Sequence, residues 1–486
     1  MAQKPQASRS LVTNGVYSAA SELSIGLLFI LTIFAARSLG DAGFGVFSFA
    51  LAFVNVMGFL MEGGLSFVYA RIVSRDPASA PRFLGNVLTL QLIFCASGIL
   101  LVVVVAAFLD QPAETMQVIY LLAIAEALRF FKYLFRFAFR AADVFHLEAL
   151  TVYVERVLLL VVSLALLFGG YGVVGLAWAF VITRVIDLLI VLAVYSRALF
   201  LPTLRFEIRL WPNIVRQSVP FILTAAVVMM LYKVDSVILA LVHSDAEVGW
   251  YNAAYRLIEG LYLFPKILSS VLFPRLSEAY RDQPRVTRLY TRALRYVLVL
   301  ALPLTLVGIP AAEAIIDLIY GAEYQNAVIA LQILLLSLIF LFIYEISFAL
   351  LGAISRQRIF FYFSAVALAL NIGLNIILIP PFSYVGAGIA TVLAQLVFAV
   401  LIGVYIHQIG YRLPYLKLAL RPLLAASAVG LLAHFLLDSL FVILPVTVLA
   451  YLALLTVTGY WDAQELALAR KALARARRYL PGHKPV

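Results

Sequence analysis

Fourteen apolar runs follow one another along this 486-residue chain, each long enough to cross a hydrocarbon layer of about 30 Å as a helix of roughly 20 residues. They fall at about 11–37, 45–70, 84–109, 116–140, 147–168, 172–196, 217–242, 249–274, 295–318, 327–354, 359–379, 384–408, 418–437 and 440–460. Lipid offers a backbone no hydrogen-bond partners, so runs of this length close their own bonds as helices, and the period-two alternation of a membrane barrel is absent. Only 13% of the residues are charged, against about 25% in soluble domains. The predicted fold class is an all-α polytopic membrane protein of about 14 transmembrane helices.

Orientation follows from the basic residues. With the N-terminus cytoplasmic, Lys4 and Arg9 lie inside, and the even-numbered helices end at Arg71, Arg75 and Arg82, then at Arg129, Lys132, Arg136 and Arg140, and onward to the tail at Arg470 to Lys484. Thirty of the 36 Lys and Arg residues then fall on one side. The opposite loops carry Asp41, Asp110, Glu114, Asp245, Glu247, Glu323 and Asp438. That asymmetry places both termini in the cytoplasm and the protein, multi-pass, in the cytoplasmic (inner) cell membrane.

The same distribution disposes of the net charge of +11. It is spread over short loops with no aromatic-basic platform, so nucleic acid is not an expected partner and anionic membrane lipids are. One cysteine, Cys95, sits in an apolar run, which leaves no disulfide and no CxxC metal motif. His407 and His434 are isolated, and no metal site is expected. The first apolar run has full length and no small-residue cleavage site after it, so it is read as an anchor that stays. The tail WDAQELALARKALARARRYL places Leu466, Ala469, Leu473, Ala476 and Leu480 at helical spacing beside a basic face, the pattern of a helix lying on the inner leaflet.

Two weak internal echoes organise the chain. Asp41, Ala42, Gly45 and Phe47 correspond to Asp245, Ala246, Gly249 and Tyr251 at an offset of 204 residues, and Val174, Gly175 and Ala177 to Val385, Gly386 and Gly388 at 211. Each copy holds six helices, an even number, so the copies enter the membrane in the same sense; parallel repeats of this kind are a transporter pattern with the substrate path between the halves. The expected domains are an N-terminal lobe at 1–210, a C-terminal lobe at 211–410, an extra helix pair at 411–460 and a basic amphipathic cytoplasmic tail at 461–486. The linker at 197–216 is long enough for a short interfacial helix.

Ionisable side chains inside these runs cost about 2.5–3.5 kcal/mol each at mid-bilayer, so they face a cavity or a partner. Glu22, Glu62, Glu126, Glu155, Arg156, Arg184, Asp187, Lys233, Asp235, Arg256, Glu259, Lys266 and Glu345 are such residues. Arg184 with Asp187, and Arg256 with Glu259, stand three apart and can pair on one helical face. Lys233 and Asp235 lie about 200° apart around a helix and cannot pair with each other. Asp235 therefore has two readings, an interhelical structural bond or an ion-coupling site. Arg37 lies near the outer mouth, where a cation also snorkels to the interface.

Four segments carry a family resemblance: DAGFGVFSFA in the first outer turn, IYGAEYQNAVIALQILLLS from Ile319, NIGLNIILIP from Asn371 and VGAGIATVLAQ from Val385. With the helix count and order, they resemble the Wzx-type oligosaccharide flippases of the multidrug/oligosaccharidyl-lipid/polysaccharide (MOP) superfamily, over almost the whole chain. The resemblance implies two MATE-like lobes, with the first two helices of each lining a central cavity. It also implies alternating access that moves a polyprenyl diphosphate-linked oligosaccharide, such as an O-antigen repeat unit, from the inner to the outer leaflet. Glu22, Arg37, Glu62, Lys233, Asp235, Arg256, Glu259 and Lys266 would then belong to the substrate cavity. Lys233, Arg256 and Lys266 would serve as counter-charges to the diphosphate, and Glu22 and Glu62 as proton or cation sites. No cofactor is expected beyond a coupling H+ or Na+, and glycosyltransferases or a glycan polymerase are expected partners. A cation-coupled drug or metabolite antiporter of the same superfamily is the alternative. A polyprenol-dependent membrane glycosyltransferase or polymerase fits less well, because every outer loop is short and no P-loop or nucleophile triad occurs. The chain is therefore not expected to be an enzyme.

Overall fold

The computed structural model describes residues 25–435 and 440–461, and all regular structure among them is helical. Ten segments among the described residues are long and apolar enough to cross a membrane. Glu22 and the amphipathic tail lie outside the described residues. The chain forms two compact units: one from the described part of Met1–Leu261 with Ile316–Leu334 and Arg358–Phe398, the other from Tyr262–Ile315, Leu335–Gln357 and the described part of Ala399–Val486.

Helix α1 (Ile25–Met57) holds the end of the first apolar run and the start of the second, because the turn between them is one residue, Gly40, at φ 69° and ψ 179°. Only glycine takes that region without strain. Helix α13 (Gln357–Gln408) likewise spans two runs, across Ser383 at φ 52°. A non-glycine residue there costs free energy; the Ser383 hydroxyl donates to Glu247 Oε1 at 2.5 Å, which fixes the turn.

The second predicted span, 45–70, is not one helix. After α1 come the single turn α2 (Phe59–Glu62) and α3 (Leu65–Val73), separated by Gly63 and Gly64, both at φ 59°. Three glycines in seven residues, Gly58, Gly63 and Gly64, leave the middle of the run without helix-forming side chains. The predicted span at 249–274 is also two helices, α9 (Asp245–Leu261) and α10 (Leu263–Glu278), parted at Tyr262. Pro265 has no N–H for the Leu261 carbonyl, so the first helix cannot continue through it. The breaks at Gly58 and Tyr262 stand 204 residues apart, the offset of the sequence echo.

The start of α9 is set by S-x-x-E: the Glu247 carboxylate accepts from the Ser244 backbone N–H at 3.1 Å and from its hydroxyl at 2.8 Å, the return arm of a capping box. This helix packs directly on α1. A Cβ on Gly45 would overlap the carbonyl of Asp245, and a Cβ on Gly249 would overlap the carbonyl of Asp41. The contact is reciprocal, glycine against the aspartate carbonyl four residues before the other glycine. Small residues let two backbones approach to this distance. Trp250 Nε1 adds a hydrogen bond to Asp41 Oδ2 at 2.9 Å. Gly249→Leu should therefore push the helices apart at a cost of about 1–3 kcal/mol, read as a lowered unfolding midpoint in detergent, whereas Gly26→Leu, with open space around its Cβ position, should leave the midpoint unchanged.

Helices α4 (Ala80–Ala106), α5 (Ala113–Ala141), α6 (Phe145–Phe168) and α7 (Gly172–Ala198) complete the first part of this unit. On α5 the basic residues 129, 132, 136 and 140 recur at helical spacing on one face. The charge distribution puts them at the cytoplasmic end of this helix; the structure buries two of them, Lys132 and Arg136. Lys132 and Arg136 both pair with Asp187 of α7 and with Glu155 of α6, at 2.7 Å for Lys132 Nζ to Glu155 and 2.5 Å for Arg136 Nη1 to Glu155. Arg184 also binds Glu155. The expected local pair of Arg184 with Asp187 is thus replaced by bonds between helices, because α5 brings two stronger partners to Asp187. Lower on the same face, Arg140 binds Glu148 at 2.5 Å.

The middle of the 197–216 linker is an extended strap, with no separate helix between α7 and the next one. Residues 201–207 have no regular structure, and they lie along α4: Arg205 N–H donates to the Gly85 carbonyl at 3.2 Å, Thr89 Oγ1 to the Arg205 carbonyl at 2.9 Å, and Glu207 N–H to Asn86 Oδ1 at 2.9 Å. Bonded laterally through Arg205 and Glu207, this end of the segment has no need of its own helical bonds. Arg82 binds the Glu207 carboxylate and holds it below the usual carboxylate range. Helix α8 (Trp211–Val242) follows. The chain continues through α11 (Gln283–Ile319), α12 (Ala327–Ala353), α14 (Tyr415–Phe435) and α15 (Leu440–Val457).

Candidate functional site

Two polar clusters use opposite faces of α8. On one, Asp235 is buried, and Tyr251 of α9 and Thr391 of α13 donate to its Oδ2 at 2.8 and 2.5 Å. Asn375 Nδ2 donates to Oδ1 at 2.6 Å and also to Asn371 Oδ1 at 3.1 Å. The kink at Ser383 explains the geometry: it folds α13 back, so Asn371 and Asn375 on one arm and Thr391 on the other face the same carboxylate. Among the described residues no Lys or Arg pairs with Asp235, and the buried Asn375 Oδ1 has no hydrogen-bond partner. Three donated hydrogen bonds carry the charge of this buried carboxylate, an arrangement that a proton or a cation would further stabilise. The converging groups are all oxygens apart from the amide nitrogens, a donor set suited to a hard cation. Among the described residues there is no group of three or more His, Cys, Asp or Glu side chains able to hold a metal.

On the other face of α8, Lys233 Nζ lies 2.8 Å from Glu259 Oε1, and Arg256 Nη1 2.5 Å from Glu259 Oε2. One carboxylate thus serves two cations, one oxygen to each, and the trio keeps a charge of +1. Lys233 also stands 5.6 Å above the Tyr255 ring, a cation–π contact. The three charged side chains are 17%, 26% and 31% exposed for Lys233, Glu259 and Arg256, so none is fully enclosed by protein. Lys233 and Asp235 do not meet, as their two-residue spacing requires.

The other predicted residues that the structure describes have surroundings of their own. The Arg37 guanidinium donates to the carbonyls of Leu318 and Ile319 at 2.6 and 2.8 Å, satisfying the exposed end of α11. Nearby, Tyr324 donates to the carbonyls of Ala36 and Gly40, both at 2.9 Å. Glu62 ends the isolated turn α2, half-buried, with Arg129 as the charge acting on it. Lys266 lies on α10 in the second unit with its side chain exposed. In that unit Glu345 accepts a short hydrogen bond from Tyr262. The uncharged partners of Asp235 escaped notice in the sequence. Their signal was the pair of asparagines at i and i+4 in an apolar run, a spacing that puts both amides on one helical face.

Comparison with known proteins agrees with this architecture. The polysaccharide biosynthesis protein family matches residues 34–329. Probable flippase AglR of Haloferax volcanii is 26% identical over 391 residues, covering 76% of this chain and 78% of its own. A structure of the lipid II flippase MurJ in an inward closed conformation superposes with a TM-score of 0.76 at 18% identity, over 91% of this chain and 98% of that one. An inward-facing multidrug resistance MATE family transporter of the MOP superfamily gives 0.65 at 16% identity, over 78% and 93%. These likenesses fix the fold as that of MurJ and the MATE transporters. The chain is a multi-pass membrane protein and belongs to the polysaccharide biosynthesis protein family.

Proposed function

We propose that this protein is a flippase that carries a polyprenyl diphosphate-linked oligosaccharide from the inner to the outer leaflet by alternating access. The observation that carries the proposal is the trio Lys233, Arg256 and Glu259, a net-positive and partly exposed group within membrane-spanning helices. A buried cation is costly in lipid, and an anionic head group is the ligand that would make two of them useful. Membership of a polysaccharide biosynthesis family and relatives named as flippases support the same reading. In this proposal the fourteen runs are fourteen helices in two parallel six-helix repeats plus a C-terminal pair, with both termini in the cytoplasm. The repeat is supported by the two helix breaks at one offset and by the reciprocal glycine contact. Arg37 then belongs to the outer end of the path, and Glu62 to its lining.

Asp235 supports ion coupling, with H+ or Na+ as the partner of its carboxylate. The same cluster favours the second reading, a cation-coupled antiporter of small molecules, which the MATE-like fold also accommodates. Reconstituted vesicles separate the two. Carrying a labelled polyprenyl diphosphate-oligosaccharide, they should expose it to an external glycosidase only when the protein is present. Arg256→Ala should slow exposure about 10- to 100-fold while leaving the amount of folded protein unchanged. Protein-independent exposure across a panel of glycans, with gradient-driven efflux of a small cation instead, would favour the antiporter.

A further inference from the structure

We infer that Glu259 is a proton-linked placeholder for the lipid diphosphate: substrate entry displaces it from Lys233 and Arg256, and the released carboxylate takes up a proton. The inference rests on the head-group assignment of those two cations.

Charge balance carries it. Glu259 divides its two oxygens between Lys233 and Arg256 at 2.8 and 2.5 Å, so any anion that engages both cations must compete for the bonds that Glu259 makes. A diphosphate diester brings two negative charges to a site whose cations supply two positive ones. If Glu259 stayed ionised beside it, the site would hold a net charge of −1 within the membrane, with like charges a few ångströms apart. Both burial and that repulsion favour the neutral acid. The carboxylate therefore gains one proton from water on the loading side, and the loaded site is neutral. On release the proton leaves, and Glu259 closes again on the two cations, so the carrier does not return with two bare positive charges in lipid.

Neither cation bonded to Glu259 changes charge in the working pH range, and Asp235 lies on the opposite face of α8 with its own partners. The charged groups facing it are Lys233 from α8 and Arg256 from its own helix; the titratable groups acting on it are Tyr251 and Tyr255 of α9 and Tyr320 beyond α11. Tyrosines ionise near pH 10 or above. The face of α1 next to this turn is apolar, with the Phe29 ring against Gly260.

The test is calorimetric titration of the full-length purified protein with a short-chain polyprenyl diphosphate N-acetylglucosamine. Its phosphates are both diesters and lack the second ionisation near pH 6 of a terminal phosphate. In buffers of different ionisation enthalpy, wild type should take up about one proton per ligand near neutral pH, and its affinity should rise by up to about tenfold per pH unit as the pH falls. Glu259→Gln, which mimics the protonated acid, should bind at least tenfold tighter than wild type at pH 8, with no proton uptake. Binding by wild type without proton uptake would overturn the inference and leave the head-group assignment intact, and it decides the matter even if the variant fails to fold. Weaker binding by a folded Glu259→Gln would do the same. Absence of any wild-type binding, or binding unchanged in Arg256→Ala, would overturn the head-group assignment and the inference with it.

Discussion

Asp187→Ala is expected to destabilise the protein by about 3–5 kcal/mol, the cost of stripping one partner from a buried ion pair. Asp187 is fully buried and accepts from both Lys132 and Arg136. Without it, Lys132, Arg136 and Arg184 would all depend on Glu155, and two positive charges would be left uncompensated among α5, α6 and α7. At about 2.1 cal/mol/K of unfolding entropy per residue, roughly 1 °C per kcal/mol for a chain of this length, the unfolding midpoint in detergent should fall by about 3–5 °C. Adding Lys132→Met to Asp187→Ala removes one of the stranded charges and should restore part of the loss, a coupling that a double-mutant cycle isolates. A midpoint equal to wild type in the single variant would mean that water reaches these groups and that the network does not hold the helices together.

Asp235→Asn is expected to fold normally and to lose its response to ion gradients. The substitution keeps the size and one acceptor oxygen for Tyr251 and Thr391; its NH2 replaces the oxygen that Asn375 Nδ2 met, and Asn375 can turn its unbonded Oδ1 to accept from it, while the negative charge is gone. In the vesicle assay, wild type should accelerate when an inward Na+ or proton gradient is imposed, and the ion that works identifies the partner. The asparagine variant should transport at least about tenfold more slowly with the gradient present, a difference of roughly 1.4 kcal/mol in the barrier, and equally with or without it. A variant that responds as wild type does would return Asp235 to a purely structural role.

Hydrophobic run length made the helical membrane fold legible, because the bilayer permits so few backbone solutions. The turns between the runs were legible too: Gly40 and the Asp245 hinge stand where the apolar runs part. Interruptions inside the runs were not. Gly63 and Gly64 were read through because an apolar run containing glycine still reaches the required length, and only the backbone shows both in the left-handed region. Spacing likewise decided the charged residues only locally. It correctly paired Arg256 with Glu259 and separated Lys233 from Asp235. It failed for Arg184 and Asp187, where helix α5 offers partners from more than 50 positions away in the chain.

The chain alone thus determined that this protein lies in a membrane, is built of helices, and contains charges that need partners. Those properties follow from composition and from periodicities of a few residues, which any helix expresses on its own. Which partner each charge takes was decided by the tertiary structure. The kink at Ser383 turns two arms of one helix toward Asp235, and the approach of α8 to α9 gives Lys233 and Arg256 a single carboxylate to share. Such pairings depend on helix crossings, and no spacing within one helix encodes them.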